Sequence, residues 1–378
     1  MLVAVFSLTL LVFATPSIAQ EDHDTEKHEA AAGHDAHEKK GFDANKVIFS
    51  HVLDAHEFHF LDYTGADGEH HAVTLPLPVI LYSTTRGLST FMSSEFHHGE
   101  TEVNGYRLVG NKILPVDPNE KVFDFSLTRN VVQAFIALAI LLILMIKIGN
   151  KYKSGVGRTS APTGFQNAVE PVITFVRDEV ARPNLGHRYE RYLPFLLTVF
   201  FFILINNIFG LIPGAANVTG NIAFTLVLGV ISFIVVTVNG NKHYWSHIFN
   251  PPVPGGIKPI MVIVEFLSMF TKPFALIIRL FANMLAGHII IICLVSLIFI
   301  FGSLSTAAGW GFSPISIAFA VFIYLIEVLV AFIQAFIFTN LTAVFIGQAI
   351  EETHHHDEKH AHEPKGTTTA SYDDPVII

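Results

Sequence analysis

Residues 260–301 form one long apolar stretch whose formal charges are Glu265, Lys272 and Arg279. At about 1.5 Å per residue a helix of that length overshoots the roughly 30 Å hydrocarbon core of a bilayer. The stretch therefore reads as one tilted or bent membrane helix, with Pro273 as the bend. Arg279 lies in its middle, and a guanidinium cannot shed its proton to escape burial. Insertion scales put the cost of such a charge at roughly 2.5–3.5 kcal/mol at a helix centre. A chain that keeps it there is using it, either on an ion pathway or as counter-ion to a buried carboxylate.

The rest of the chain fits that setting. It has 378 residues, 51% hydrophobic and 15% charged, with mean hydropathy +0.49; soluble domains carry about 25% charged residues. The charge gathers in tails and loops, leaving a lipid-compatible remainder. The reading is an all-α polytopic membrane protein with a small β-rich N-terminal module. The net charge of -9 comes with no basic face or stripe, so nucleic acid is not an expected partner. The single cysteine, Cys293, supports neither a disulfide nor a Cys-rich metal centre.

Five regions follow from composition. Residues 1–19 are apolar and end in small residues before an acidic segment, as a signal peptide does, although the positive start is missing. An uncleaved anchor is the alternative. Residues 20–45 are rich in His, Glu, Asp and Lys without apolar period, which predicts a disordered segment. Its histidines (His23, His28, His34, His37) read as solvated rather than metal-binding. Residues 46–124 alternate polar and apolar positions between Gly- and Asp-containing turns, the pattern of a small β-rich extracytoplasmic module. Pro76 and Pro78 in one run mark an edge strand or an irregular segment. Residues 125–352 form the membrane domain, and 353–378 a His-rich disordered tail.

Within the membrane domain the crossings are Val131–Ile148, Leu193–Ile212, Ile222–Val238, Ile260–Phe301 and Ile315–Ile350. Residues 165–182 place Phe165, Val169, Val172, Ile173, Val176 and Val180 at helical spacing between charges, predicting an amphipathic helix on the membrane surface. Residues 302–313 read as an uncharged loop. Lys and Arg cluster after the first span, around the amphipathic helix and after the third, which puts those loops in the cytoplasm. The N-terminus is then extracytoplasmic and the C-terminus cytoplasmic.

The chemistry-bearing residues sit on the last two spans. Glu265, Ser268, Lys272, Arg279 and Asn283 fall near one face of the fourth. A polar stripe there must face protein or water. His288 points to roughly the other side. Glu327 and Gln334 share a face of the last span, with Tyr324 a turn before Glu327. Each has a plainer alternative: Asn283 or Gln334 as an interhelical hydrogen bond worth about 0.6 kcal/mol, Ser268 as an ordinary membrane-helix serine, Lys272 snorkelling to the interface, and Arg279 with Glu327 and His288 as a static ion-pair cluster.

These residues resemble a known family. The run Ser268-Met-Phe-Thr-Lys-Pro-Phe-Ala-Leu-Ile-Ile-Arg279-Leu-Phe-Ala-Asn283-Met-Leu-Ala-Gly287-His288 is similar to the signature of subunit a of the rotary F-type ATP synthase. Residues 327–342 resemble that family's final helix, and Asn207-Ile-Phe-Gly-Leu-Ile-Pro213 the end of an earlier one. The resemblance covers about residues 125–352. It implies a stator proton-channel subunit, not itself an enzyme, that works with the c-ring, the subunit b peripheral stalk and the rest of the synthase in a cell inner membrane, without cofactor or metal. It implies Arg279 facing the rotor carboxylates, Asn283 and Gln334 flanking it, and Glu265 and Ser268 near the cytoplasmic exit. Asn207, Asn221 and Tyr324 are secondary channel-lining candidates. Many bacterial members carry an acid after the Ala-Gly pair and a His before the Gln. Here His288 and Glu327 exchange those places, as in mitochondrial members. Gly210 stands where some members carry Asp, so that relay group is missing. Residues 1–120 have no counterpart in the shorter members.

Three other classes remain to be weighed. A stand-alone transporter calls for inverted repeats, and no internal duplication is visible. A membrane haem or metal enzyme calls for several histidines within spans, and only His288 lies in one. A structural adaptor has no need of a mid-membrane arginine. No phosphate-binding Gly-rich loop is present, so nucleotide chemistry falls to other chains.

Overall fold

The computed structural model describes residues 54–64, 70–99, 101–117, 120–154, 164–212, 215–251, 253–254 and 256–350. The expected signal peptide, the 20–45 segment and the 353–378 tail lie outside them.

The N-terminal part is β-rich, as its alternation predicts. Strands β1 (Glu57–Thr64) and β2 (His70–Pro76) form an antiparallel pair with a bulge between His59 and Leu61. Strands β3 (Pro78–Ser83), β4 (Gly87–Met92) and β7 (Val122–Asp124) form a second sheet in the order β4-β3-β7. Strands β5 (Tyr106–Val109) and β6 (Lys112–Pro115) make a hairpin. The run that reads as one strand over 72–82 is divided at Leu77, because neither Pro76 nor Pro78 has an N–H for a ladder. The Leu77 amide donates instead to Ser93 Oγ at 3.0 Å. Val79 and Leu81 point inward, where they meet Phe91, Phe96, Tyr106 and Ile113 in a small core. Gly87 turns β3 into β4 at φ +78°, a conformation a side chain would resist.

Two carboxylates are tied into this module. Glu120 is buried, accepts from the Ser83 hydroxyl and from Thr85 Oγ1 at 2.9 Å, and forms an ion pair with Arg86 Nη2 at 3.2 Å. The Ser83 bond leads in holding its carboxyl below the usual range, against the pull of burial. His56 Nε2 lies 2.7 Å from Asp124 Oδ2. Burial raises Asp124, but the bond and charge of His56, with the Ser126 hydroxyl and amide, outweigh it and leave the carboxyl lowered. A depressed carboxyl stabilises the fold above its unfolded pKa of about 4, and that contribution disappears as pH falls through the lower, folded value. Amide-exchange protection of β3 and β7, corrected for intrinsic rates, is therefore expected to drop below about pH 4. Glu120→Gln with Asp124→Asn should be less protected at neutral pH and should lose most of the step. A wild-type profile without any step would contradict these pairings.

The module is seated on the membrane domain. The Arg129 amide donates to Ala55 O at 3.0 Å and the Asn130 amide to Asp54 Oδ1 at 3.3 Å, satisfying the first turn of α1 (Arg129–Lys153). Phe58 and Leu77 join Ala134 and Ala137 of α1 in the large apolar cluster of the helices.

After α1 come α2 (Phe165–Phe175), a π-helical turn (Val176–Ala181), α3 (Arg182–Leu185) and α4 (Tyr189–Leu211). Much of the predicted apolar stripe packs against the protein. Val169, Val176 and Val180 are buried, and the Phe175 ring lies 6.3 Å from that of Phe332 and 5.4 Å from that of Phe336. The reason is that the last helix offers a matching apolar row. Helix α5 (Ile222–Val238) has the bounds its hydropathy predicts, and a short α6 (Lys242–Phe249) follows. Helix α7 (Lys258–Leu304) continues through Pro273, and α8 (Thr306–Ile350) through Pro314. The loop expected over 302–313 is almost entirely helix. Only Ser305 separates α7 from α8, its hydroxyl accepts from the Ala308 amide at 3.1 Å, and a Cβ on Gly309 would meet Gly302 Cα at 2.8 Å. Small residues and a serine cap let the corner close. Among the described residues four helices are long and apolar enough to cross a membrane, or five if the bent pair α5 and α6 is one span.

Candidate functional site: a polar seam between α7 and α8

Helices α7 and α8 run antiparallel, and their polar residues meet along one line. Asn283 Nδ2 donates to Gln334 Oε1 at 3.0 Å. One turn further along α7, Gly287 lies directly against the Glu327 carboxylate, which occupies the space a Cβ on Gly287 would need. The glycine is what lets an acid seven residues from Gln334 reach the backbone of α7. His288 follows Gly287 and is half-buried. Glu327 and Gln334 are buried, Gln334 to 1% exposure, and the Gln334 Nε2 has no partner among the described residues.

Arg279 continues the same α7 stripe one turn before Asn283, but its side chain is exposed. Among the described residues there is no ion pair between Arg279 and Glu327. Arg279 and Glu327 thus do not form the ion pair that a static cluster needs.

A third helix supports the seam. Asn207 on α4 is fully buried and its Nδ2 donates to Ala331 O at 3.0 Å, between the levels of Glu327 and Gln334. Tyr324 donates its hydroxyl to Leu211 O at 3.2 Å, tying α8 to the end of α4. Asn221 caps α5, accepting from the Ala223 amide at 2.9 Å. Glu265 and Ser268 are half-buried near the start of α7, about 20 Å along the helix from Arg279. Between them and Arg279, Lys272 donates to Gln348 Oε1 at 3.1 Å and sits 5.5 Å from the Phe345 ring centre, beside a cavity that Tyr244 and Met269 also line. Lys272 thus bonds to α8 while its side chain stays exposed.

Two residues that sequence reasoning missed hold the seam in register. Gln133 on α1 clamps Ala216 at both backbone groups, accepting from its amide at 2.7 Å and donating to its carbonyl. The neighbouring Asn217 accepts from the Gly220 amide at 3.0 Å and donates to Met284 O at 3.1 Å, beside Asn283. Gln133 lies on a helix expected merely to span, and Asn217 in a short linker without period, so neither carried a signal.

The sequence profile described as ATP synthase A chain matches residues 131–347, more than half of the chain. The chain belongs to that family. An ATP synthase subunit a of Chloroherpeton thalassium is 50% identical over 246 residues, covering 64% of this chain and 72% of that protein. An ATP synthase subunit a 2 of Prosthecochloris aestuarii is 46% identical, over 62% of this chain and 72% of its own length. The ATP synthase subunit a of Myxococcus xanthus is 42% identical, over 64% and 78%. The ATP synthase A chain match begins in α1 and ends in α8, so it takes in the whole seam. Ahead of it, residues 47–133 match a separate family, a domain of unknown function, whose span coincides with the β-rich module and the first turn of α1.

Proposed function

We propose that this ATP synthase A chain is the stator proton-channel subunit of an F-type synthase. Two half-channels that do not meet pass protons to and from carboxylates on a rotating c-ring. Glu327, His288, Asn283 and Gln334 line the extracytoplasmic half, with Asn207 and Tyr324 behind them, and Glu265 and Ser268 line the cytoplasmic exit. Arg279 stands between the two. The observation that carries this reading is the contrast along one stripe of α7: Asn283, though exposed, is bonded to α8 and Gly287 is covered by Glu327, while Arg279 is exposed and has no bond to α8 among the described residues.

The physical logic is one of charge in hydrocarbon. A protonated rotor carboxyl can turn into lipid at low cost, and an ionised one cannot. The guanidinium favours the ionised form beside it, so each rotor site exchanges its proton before and after passing Arg279. The drive is about 2.3 kcal/mol per charge per 100 mV. Imidazole titrates near neutral pH, which suits His288 beside the Glu327–Gly287 contact to relay. The subunit itself catalyses no bond-making step and needs no cofactor. The extracytoplasmic N-terminus, the cytoplasmic C-terminus and the inner-membrane setting belong to the same proposal, as does contact with the subunit b stalk.

The direct test is purification of the chain from its native membrane. It should bring with it an oligomeric ring of small subunits and a nucleotide-binding head, and the complex should make ATP in acid-loaded vesicles. Proton flux through the isolated chain without a ring would instead favour a stand-alone channel. A local test uses the Gly287 contact. Gly287→Ala forces the Glu327 carboxylate off its seat, and an ångström-scale displacement in a proton path is expected to lower the coupled rate about tenfold or more. Shortening the acid in Gly287→Ala with Glu327→Asp should recover part of it. An unimpaired Gly287→Ala enzyme would remove this contact from the path.

A further inference from the structure

We propose that α6 is an interfacial anchor that seats on the headgroups of anionic phospholipids, gripping them through Lys242 and the Trp245–Phe249 pair. Helix α5 has 17 residues, about 25 Å of rise, close to the hydrocarbon thickness of a bilayer. Its end at Val238 therefore lies near an interface. The chain then bends by 101° into α6, which runs in the plane of that interface rather than across it.

The faces of α6 suit that position. Tyr244 and Ile248, one turn apart, form the inner side: Tyr244 lines the cavity beside Lys272 and Phe345, and Ile248 is buried. The next flank is aromatic. The Trp245 and Phe249 rings stack with centres 6.1 Å apart and planes 12° from parallel, and Phe249 is exposed. Beyond it come Lys242, Ser246, His243 and His247, all exposed. Residues 239–258 contain no Asp or Glu, and their charged side chains are Lys242 and Lys258. Aromatic rings at the acyl boundary with an ammonium beside the phosphates are the usual arrangement of a helix lying on a membrane.

The helix is also fixed in place. The Asn241 amide donates to Ala349 O at 2.8 Å and its Nδ2 to Ile350 O at 2.9 Å, so the start of α6 is bolted to the end of α8. Gly240 leaves room for Tyr244 and Trp245 to fold back, since a Cβ there would meet both rings. A lipid surface fits better than a protein partner. The outer side of an eight-residue helix falls far short of the roughly 800 Å² per side that a stable protein interface needs.

The test uses the full chain in vesicles. Cys293, the one cysteine, is exposed on α7 and is replaced in Cys293→Ser. A nitroxide is placed at His247→Cys, or at Ser246→Cys should that variant misfold. Headgroup-chelated nickel and dissolved oxygen report its depth, with a label on Cys293 of the unaltered chain, within the apolar stretch of α7, as the reference. The expected result is strong relaxation by nickel at α6 and weak relaxation at Cys293. Adding about 30% phosphatidylglycerol to phosphatidylcholine should draw the α6 label closer to the headgroups, and Lys242→Gln should weaken that preference about fivefold. Low access to both probes would mean α6 is covered by protein, and water-like access would mean it stands clear of the membrane. Either result overturns the proposal, as would a depth indifferent to phosphatidylglycerol.

Discussion

Arg279→Ala is expected to abolish proton-driven ATP synthesis while the complex still assembles. The two halves of that result have separate causes. Assembly is spared because Arg279 is exposed on the chain and packs into no buried core, so removing it opens no cavity and strands no partner on α8. Coupling is lost because nothing else at that level of α7 carries a fixed positive charge. Asn283 and Gln334, bonded to each other at 3.0 Å, are neutral and cannot hold a rotor carboxylate in its ionised form. Arg279→Lys preserves the charge but exchanges a planar, always-charged fork for a group that sheds its proton when desolvated, so it should restore little. ATP synthesis in acid-loaded vesicles, with ATP hydrolysis by the same preparation as the assembly check, measures both halves. Coupled synthesis at the normal rate in Arg279→Ala would refute the barrier role.

The second large effect is expected at Glu327. Glu327→Gln keeps the shape of the side chain over Gly287 but removes a group that can gain and lose a proton. Losing a positioned acid–base group costs about 100-fold or more in typical proton transfers, and coupled synthesis should fall on that scale. The exchange Glu327→His with His288→Glu should recover part of the loss, because it restores an imidazole and a carboxylate to the same stretch of the seam. That outcome is sharper than either single change: a purely structural Glu327 would gain nothing from a second substitution next door. No recovery in the double variant would argue that the two do not act as a pair.

Much of this architecture was legible from residues. The spans are long apolar runs, and α5 has the limits its hydropathy predicts, because Asn221 and Asn239 bracket it with polar, capping side chains. Asn283 and Gln334 each stand out as polar residues on an apolar span, and they bond to one another. What stayed hidden depends on three-dimensional neighbours. The apolar stripe of α2 is the same whether lipid or protein covers it, and only the Phe332 and Phe336 rings of α8 decide the matter. The α7–α8 corner was hidden because Gly, Ser and Thr suit either a loop or a close helix crossing. Gly287 was visible as part of a motif, but its use as a seat for Glu327 required knowing the register of the two helices. Asn217 and Gln133 are local polar residues with distant backbone partners, and no period in a sequence points across that distance.

The fastening of the two long helices has a mechanical consequence. They are joined through Ser305 at one end, and at the other the last turn of α8 is held by Asn241. A hairpin restrained at both ends behaves as a stiff beam. Sideways drag on a side chain halfway along it is met by bending stiffness rather than by swivelling at a loose joint. A ring passing as proposed would thus push against a support that yields little, and the strain of each step would be stored in more compliant parts of the complex.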